Sequence, residues 1–76
     1  MLEQLREVAG MGGPAAALAN ELLVLREQYE SSELSADEYQ FLVQQVAEVK
    51  AAQELATDEQ AMRYIVAAAN AMSMLI

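Results

Sequence analysis

The sequence predicts an all-α protein: a small bundle of three main helices preceded by a short N-terminal helix, forming one domain over residues 1–76. Two observations lead to this fold class. Apolar residues recur every three or four positions through most of the chain, which is the period of an amphipathic helix. They are mainly Leu, Ala, Val and Met, with a single Phe, and Ala, Leu and Met lose little side-chain freedom in a helix.

A short helix over residues 2–9 is predicted from Leu2, Leu5 and Val8, which recur at helical spacing. Eight residues are too few for a helix that is stable by itself. Three glycines then interrupt the pattern, and the proline after them suits the first position of a new helix, where its missing N–H would have no partner. A turn is therefore predicted over residues 10–14.

The second helix is predicted over about residues 15–30. Leu18, Leu22, Leu25 and Tyr29 form an apolar stripe at offsets of four, seven and eleven positions, and such a stripe marks the side that a helix buries. Two serines and a glutamate follow. This polar composition is typical of a turn.

The third helix is predicted over about residues 36–55. Ser35 is followed three positions later by Glu38, the spacing of a capping box in which each side chain binds the other residue's backbone N–H. Tyr39 and Val43 begin the apolar side of this helix. The sequence therefore predicts that the helix starts at Ser35.

The fourth helix is predicted over about residues 58–75, because Thr57 and Gln60 have the spacing of a second capping box. Its apolar residues leave no wide polar face, so we expect another surface to cover this helix. Only three residues between 61 and 76 are polar: Arg63, Asn70 and Ser73.

The composition argues against several classes of function. Twelve acidic residues against four basic ones give a formal net charge of −8, which disfavours direct binding to nucleic acid and to anionic membranes. His and Cys are absent, and with them the commonest general base, the thiol nucleophile and the usual ligands of transition metals. We expect no enzyme activity, no cofactor and no metal.

Two further hypotheses concern cations and membranes. The acidic side chains within residues 27–38 could offer oxygen ligands to a hard cation, but their spacing matches no calcium loop, which favours solvated charges.

The apolar run after Arg63 is shorter than the roughly 20 residues that cross a bilayer. Residues 1–10 contain Glu3 and Glu7 and lack the basic start of a secretory signal. We expect a cytoplasmic protein, or one within an intracellular or viral assembly.

The leading hypothesis is a protein-interaction module that self-associates or docks on a larger assembly. The end of the fourth helix is apolar and has few neighbours along the chain, and exposed apolar patches mark interaction sites. Tyr29 and Tyr39 are expected to pack in the core, whereas core packing and interface anchoring are equally expected for Tyr64. Such a chain would suit an accessory or structural protein of a bacterium or phage. The predicted interface comprises Leu22, Leu25, Tyr64, Ile65, Met72, Met74, Leu75 and Ile76.

An alternative hypothesis is an acidic inhibitor that imitates nucleic acid at a basic site of another enzyme. It requires carboxylates along one face at the spacing of phosphates, and binding that weakens steeply with salt. The acidic residues are instead distributed among turns, helix starts and outer faces. This hypothesis therefore ranks second.

The stretch Leu22–Val46 resembles the short C-terminal helical-hairpin (SHOCT-like) domain of bacterial proteins. That pattern has a leucine-bearing helix, a small turn, a Ser or Thr cap, and an acidic residue before an aromatic one. Ser32 stands where that family usually has glycine. The resemblance implies an interaction or oligomerisation hairpin without catalytic residues. The residues that match the pattern are Leu25, Tyr29, Leu34, Ser35, Glu38 and Tyr39.

Overall fold

The computed structural model describes residues 2–75, which form four helices and no strand. The predicted all-α class is confirmed. The helices are α1 (Leu2–Ala9), α2 (Pro14–Glu30), α3 (residues 36–54) and α4 (Glu59–Ser73).

The turn between α1 and α2 depends on glycine. Gly12 and Gly13 have φ angles of +82° and +89°, in the left-handed region that residues with a Cβ rarely adopt. Pro14 follows as the first residue of α2, one position before the predicted start. The Asn20 side-chain amide donates to the carbonyl of Ala9 at 3.2 Å, which fixes the end of α1 to α2.

The start of α3 has the predicted capping box. The Ser35 hydroxyl accepts from the Glu38 N–H at 3.1 Å, and the Glu38 carboxylate accepts from the Ser35 N–H at 2.9 Å. The backbone N–H and the hydroxyl of Ser35 together lower the pKa of Glu38. In the turn before this box, Ser32 has a φ of +66°, so a serine occupies a left-handed position that glycine would adopt with less strain.

One wide turn interrupts α3. Its first part is Ala36–Gln45, its last part is Ala51–Glu54, and Val46–Lys50 between them is π-helical. The Ala51 N–H donates to the carbonyl of Val46, and both residues are buried although they lie five positions apart. This turn keeps the apolar side of α3 in the core on both sides of the interruption.

The start of α4 differs from the prediction. The prediction of a second capping box at Thr57 is wrong, because Asp58 is the N-cap and its carboxylate accepts from the Ala61 N–H at 3.1 Å. Asp is among the strongest N-cap residues, so a cap one position later defines the helix. No helix within residues 2–75 has the length and apolarity that crossing a membrane requires.

The core lies where α2, α3 and α4 meet. These three helices pack against one another, whereas α1 packs mainly against α2. Eight large side chains are fully buried: Leu5, Leu18, Leu22, Tyr39, Val43, Val46, Ile65 and Met72.

Candidate functional site

Two depressions that meet at Tyr64 lie on the side of α4 that faces α1 and the glycine turn, and together they form what we call the α1–α4 groove. The larger depression, of about 380 Å³, is lined by Val8, Met11, Gly12, Ala15, Asp58, Gln60, Ala61 and Tyr64. The smaller one, of about 280 Å³, is lined by Gln4, Tyr64, Ala67, Ala68 and Ala71.

The α4 side of the groove is a stripe along the helix. Its residues recur every three or four positions from Gln60 to Ala71, so they share one face over about 16 Å of helix. Apart from Tyr64, most of them are alanines. A side chain that ends at Cβ cannot reach across to α1, and the space between the two helices stays open.

The α1 side of the groove follows from how α1 packs. Leu5 is fully buried in the core, which turns the face bearing Gln4 and Val8 towards the groove. Met11 continues that face into the glycine turn and is 78% exposed. An exposed Met offers a flexible apolar side chain that adapts to an irregular partner surface.

Tyr64 is the aromatic residue at the centre of the groove. Its ring is partly buried, and burial raises the pKa of its phenol, with a further increase from the nearby carboxylate of Glu7. The phenol is therefore protonated at neutral pH. A partly buried tyrosine presents an apolar ring and a hydrogen-bonding hydroxyl together, as interface tyrosines do.

The opposite side of α4 is closed by hydrogen bonds from α3. The buried Tyr39 hydroxyl donates to the carbonyl of Met72 at 3.1 Å, and the Gln40 amide donates to that of Ser73 at 3.0 Å. Gln44 donates to the Ser73 hydroxyl at 3.2 Å. These three bonds tie α3 to the last turn of α4, where the Met72 carbonyl also accepts from the Leu75 N–H at 3.1 Å.

Arg26 completes this closure. It donates to the carbonyl of Leu75 at 2.6 Å. A positive charge near the C-terminal end of a helix also interacts favourably with the helix dipole. Its guanidinium lies 5.5 Å from the Tyr29 ring centroid and 5.7 Å from that of Tyr39. The two rings are stacked with centroids 4.6 Å apart. The end of α4 is therefore held on the α2–α3 side.

The structure divides the predicted interface. Leu22, Ile65 and Met72 are fully buried and Leu25 is 8% exposed, so these four side chains belong to the core of the chain. Their assignment to an interface needs correction. The prediction treated the last helix as too apolar for its neighbours to cover, but α2 and α3 cover the side that bears Ile65 and Met72.

The other predicted interface residues lie elsewhere. Tyr64 lines the groove, whereas Met74 and Leu75 are 82% and 46% exposed after the end of α4. Ile76 lies outside the described residues. Sequence reasoning missed the groove residues of α1 and the glycine turn, although the four- and three-residue steps from Gln4 to Met11 are a helical signal.

The chemistry of the groove suits burial of an apolar surface. Its lining combines alanines with Val8, Met11 and a protonated phenol, and the carboxylate of Asp58 is engaged in the helix cap. Within residues 2–75, no three metal-binding side chains of the His, Cys, Asp or Glu type come together.

Comparison with protein-family models, with curated proteins and with solved structures gave no match. The resemblance of Leu22–Val46 to the SHOCT-like hairpin therefore stays a prediction. In that stretch the structure has the end of α2, a turn and the capped start of α3.

Proposed function

We propose that the chain is a non-catalytic protein-interaction module, a small helical bundle that self-associates or docks on a larger intracellular or viral assembly through the α1–α4 groove. The observation that carries this proposal is an open groove lined by apolar and small side chains around a partly buried tyrosine. Apolar grooves of this kind bind amphipathic helices.

The length of the groove suits one docked helix. Its α4 side extends over about 16 Å, which corresponds to about three helical turns. Helices pack with axes about 8–10 Å apart, and Ala67 and Ala71 permit an approach at the short end of this range. The exposed Met74 and Leu75 add apolar surface beyond the end of α4.

A pair of substitutions tests this proposal. Ala67→Arg places a long side chain in the groove, and Ala52→Arg makes the same change at an exposed alanine of α3. The solution mass of each variant is measured by light scattering at low and high salt, and each is used as bait in parallel capture from the source cell. We expect Ala67→Arg to lose the oligomer or the captured partner, and Ala52→Arg to retain it.

Circular dichroism and thermal melting accompany both variants, because a loss of binding is informative only in a folded chain. Exposed helical positions tolerate Arg well, so both variants should keep the wild-type melting temperature. Equal mass and equal capture for the two variants would contradict the proposal.

A further inference from the structure

Resting on this proposed function, we infer that the occupant of the α1–α4 groove is a cationic amphipathic helix of a partner protein. It presents an apolar stripe to Tyr64 and the alanines of α4, and Lys or Arg side chains to the carboxylates beside the groove. A second copy of this chain fits less well, for reasons of charge.

The overall charge favours a basic partner. The chain has a formal net charge of −8, so a second copy would bring the same charge to the interface, and juxtaposed like charges suppress association. The chain has few cations to offset this charge. Three of its four basic residues already pair with its own carboxylates: Arg26 with Glu30, Lys50 with Glu21 and Arg63 with Glu59.

The charge next to the groove has the same sign. Glu7 lies on α1 close enough to Tyr64 for its carboxylate to influence the phenol, and Asp58 lines the larger depression at the start of α4. Glu3 is exposed one turn before Glu7 on α1. One carboxylate of α1 thus lies near Tyr64, and Asp58 adds a second at the start of α4.

A cationic helix fits both the walls and the rim of the groove. Lys and Arg lay their aliphatic stems on apolar surface while their charged ends stay in water, so they can cover Val8 and Met11 and still reach Glu7. Leucines at steps of three and four on the same helix would face Tyr64 and the alanines. The groove therefore selects a helix by its apolar stripe and by the charge that flanks it.

Three synthetic helical peptides of about five turns test this inference. One has a leucine stripe flanked by Lys, the second has the same stripe flanked by Glu, and the third has the Leu/Lys composition in an order without a stripe. Each carries a fluorophore and is titrated by anisotropy against the full chain at low and high salt. The same titrations are repeated with two pairs of variants. Glu7→Gln is compared with Glu48→Gln, an exposed control on α3, and Ala67→Arg is compared with its control Ala52→Arg.

We expect the striped Leu/Lys peptide alone to bind, more weakly at high salt. Glu7→Gln should weaken its binding about two- to fivefold, as for the loss of one exposed ion pair, and Glu48→Gln should leave it nearly unchanged. Ala67→Arg should abolish binding that Ala52→Arg preserves.

Other outcomes overturn the inference in distinguishable ways. If the Leu/Glu peptide binds equally and Ala67→Arg blocks both, the groove docks helices without regard to charge, and the proposed function survives. The same holds if no peptide binds but the chain forms a dimer that only Ala67→Arg dissociates, because the occupant is then a second copy. If the Leu/Lys peptide binds Ala67→Arg as well as Ala52→Arg, and Glu7→Gln as well as Glu48→Gln, then its binding site lies outside the groove and the inference is overturned. If no peptide binds and Ala67→Arg behaves as Ala52→Arg in mass and capture, both fail.

Discussion

The two sides of α4 differ in how closely they are packed. On the α3 side, Tyr39, Gln40 and Gln44 cross the space between the helices and donate hydrogen bonds to the last turn of α4. On the α1 side, the α4 residues are mainly alanines, and an open groove runs past Tyr64. One helix thus packs and hydrogen-bonds on its first side and leaves the second side open.

The difference comes from side-chain length more than from polarity. Long side chains on α3 reach the end of α4 and donate hydrogen bonds to it, whereas Ala67 and Ala71 stop at Cβ. In a closely packed protein such a gap forfeits dispersion contacts. Because α2 and α3 already bury Ile65 and Met72, the fold can leave this gap open.

The largest expected effect compares a core residue with a groove residue of α4. Met72→Ala should lower the free energy of unfolding by about 2–5 kcal/mol, because Met72 is fully buried and truncation leaves a cavity. Ala67→Arg should change it by less than about 0.5 kcal/mol. Urea unfolding followed by circular dichroism measures both. Similar losses for the two variants would mean that α1 and α4 pack together and that the groove is closed.

A pair of tyrosine substitutions compares the two sides directly. Tyr39→Phe should cost about 1.5 kcal/mol in free energy of unfolding, because it removes the buried hydroxyl that donates to Met72. Tyr64→Phe keeps the ring in the groove and should cost less than about 0.5 kcal/mol. Thermal and urea unfolding of both variants measure the difference. A greater loss of unfolding free energy in Tyr64→Phe would mean that the Tyr64 side of α4 is the closely packed side and the Tyr39 side the open one.

The helix cap at the end of the groove gives the next effect. Asp58→Ala should cost about 1 kcal/mol, because its carboxylate accepts from the Ala61 N–H. Thr57→Ala should have almost no effect, although the sequence pattern favours Thr57 as the cap. Urea unfolding of the two variants under identical conditions compares them. A larger loss of unfolding free energy in Thr57→Ala would mean that α4 starts at Thr57, and that the end of the groove beside Asp58 is placed differently.

The smallest effect is a change in titration. The pKa of Tyr64 lies above the ordinary tyrosine value of 10.0 because of burial and, second, the charge of Glu7. Stability from the neutral phenol is therefore complete below the unfolded-state pKa and is lost as the pH rises through the folded-state pKa. Glu7→Gln should lower the pKa of Tyr64, whereas Glu48→Gln should not. NMR of ring-labelled tyrosine follows the titration, and no shift in Glu7→Gln would place this carboxylate away from the groove.

The helices were predictable because their signals are local. Leucine spacing, the glycines of the first turn and the capping box at Ser35 depend on neighbours within a few positions. The wide turn at Val46–Lys50 was not predictable in this way, because the apolar pattern of α3 continues through it. The hydrogen bond between residues five positions apart depends on how the two parts of α3 pack in the core. The cap at Asp58 was missed because Thr57 and Asp58 both suit an N-cap.

The groove was less predictable than the helices. Tyr64 was a candidate, but its partners on α1 are more than fifty positions away in the sequence, and no short-range pattern encodes that α1 packs on α2 instead of on α4. Ile65 and Met72 were placed in an interface because the last helix has no wide polar face and its end has few neighbours along the chain, but in the folded chain both side chains lie in the core.

Photo-crosslinking in the source cell shows whether the α1–α4 groove is the docking surface. The photoreactive residue p-benzoylphenylalanine replaces Ala67 in one sample and Ala52 in the other, and the adducts are resolved by mass after irradiation. We expect a discrete adduct with another protein from position 67 and none from position 52. The same adducts from both positions, or an adduct from position 52 alone, would contradict it.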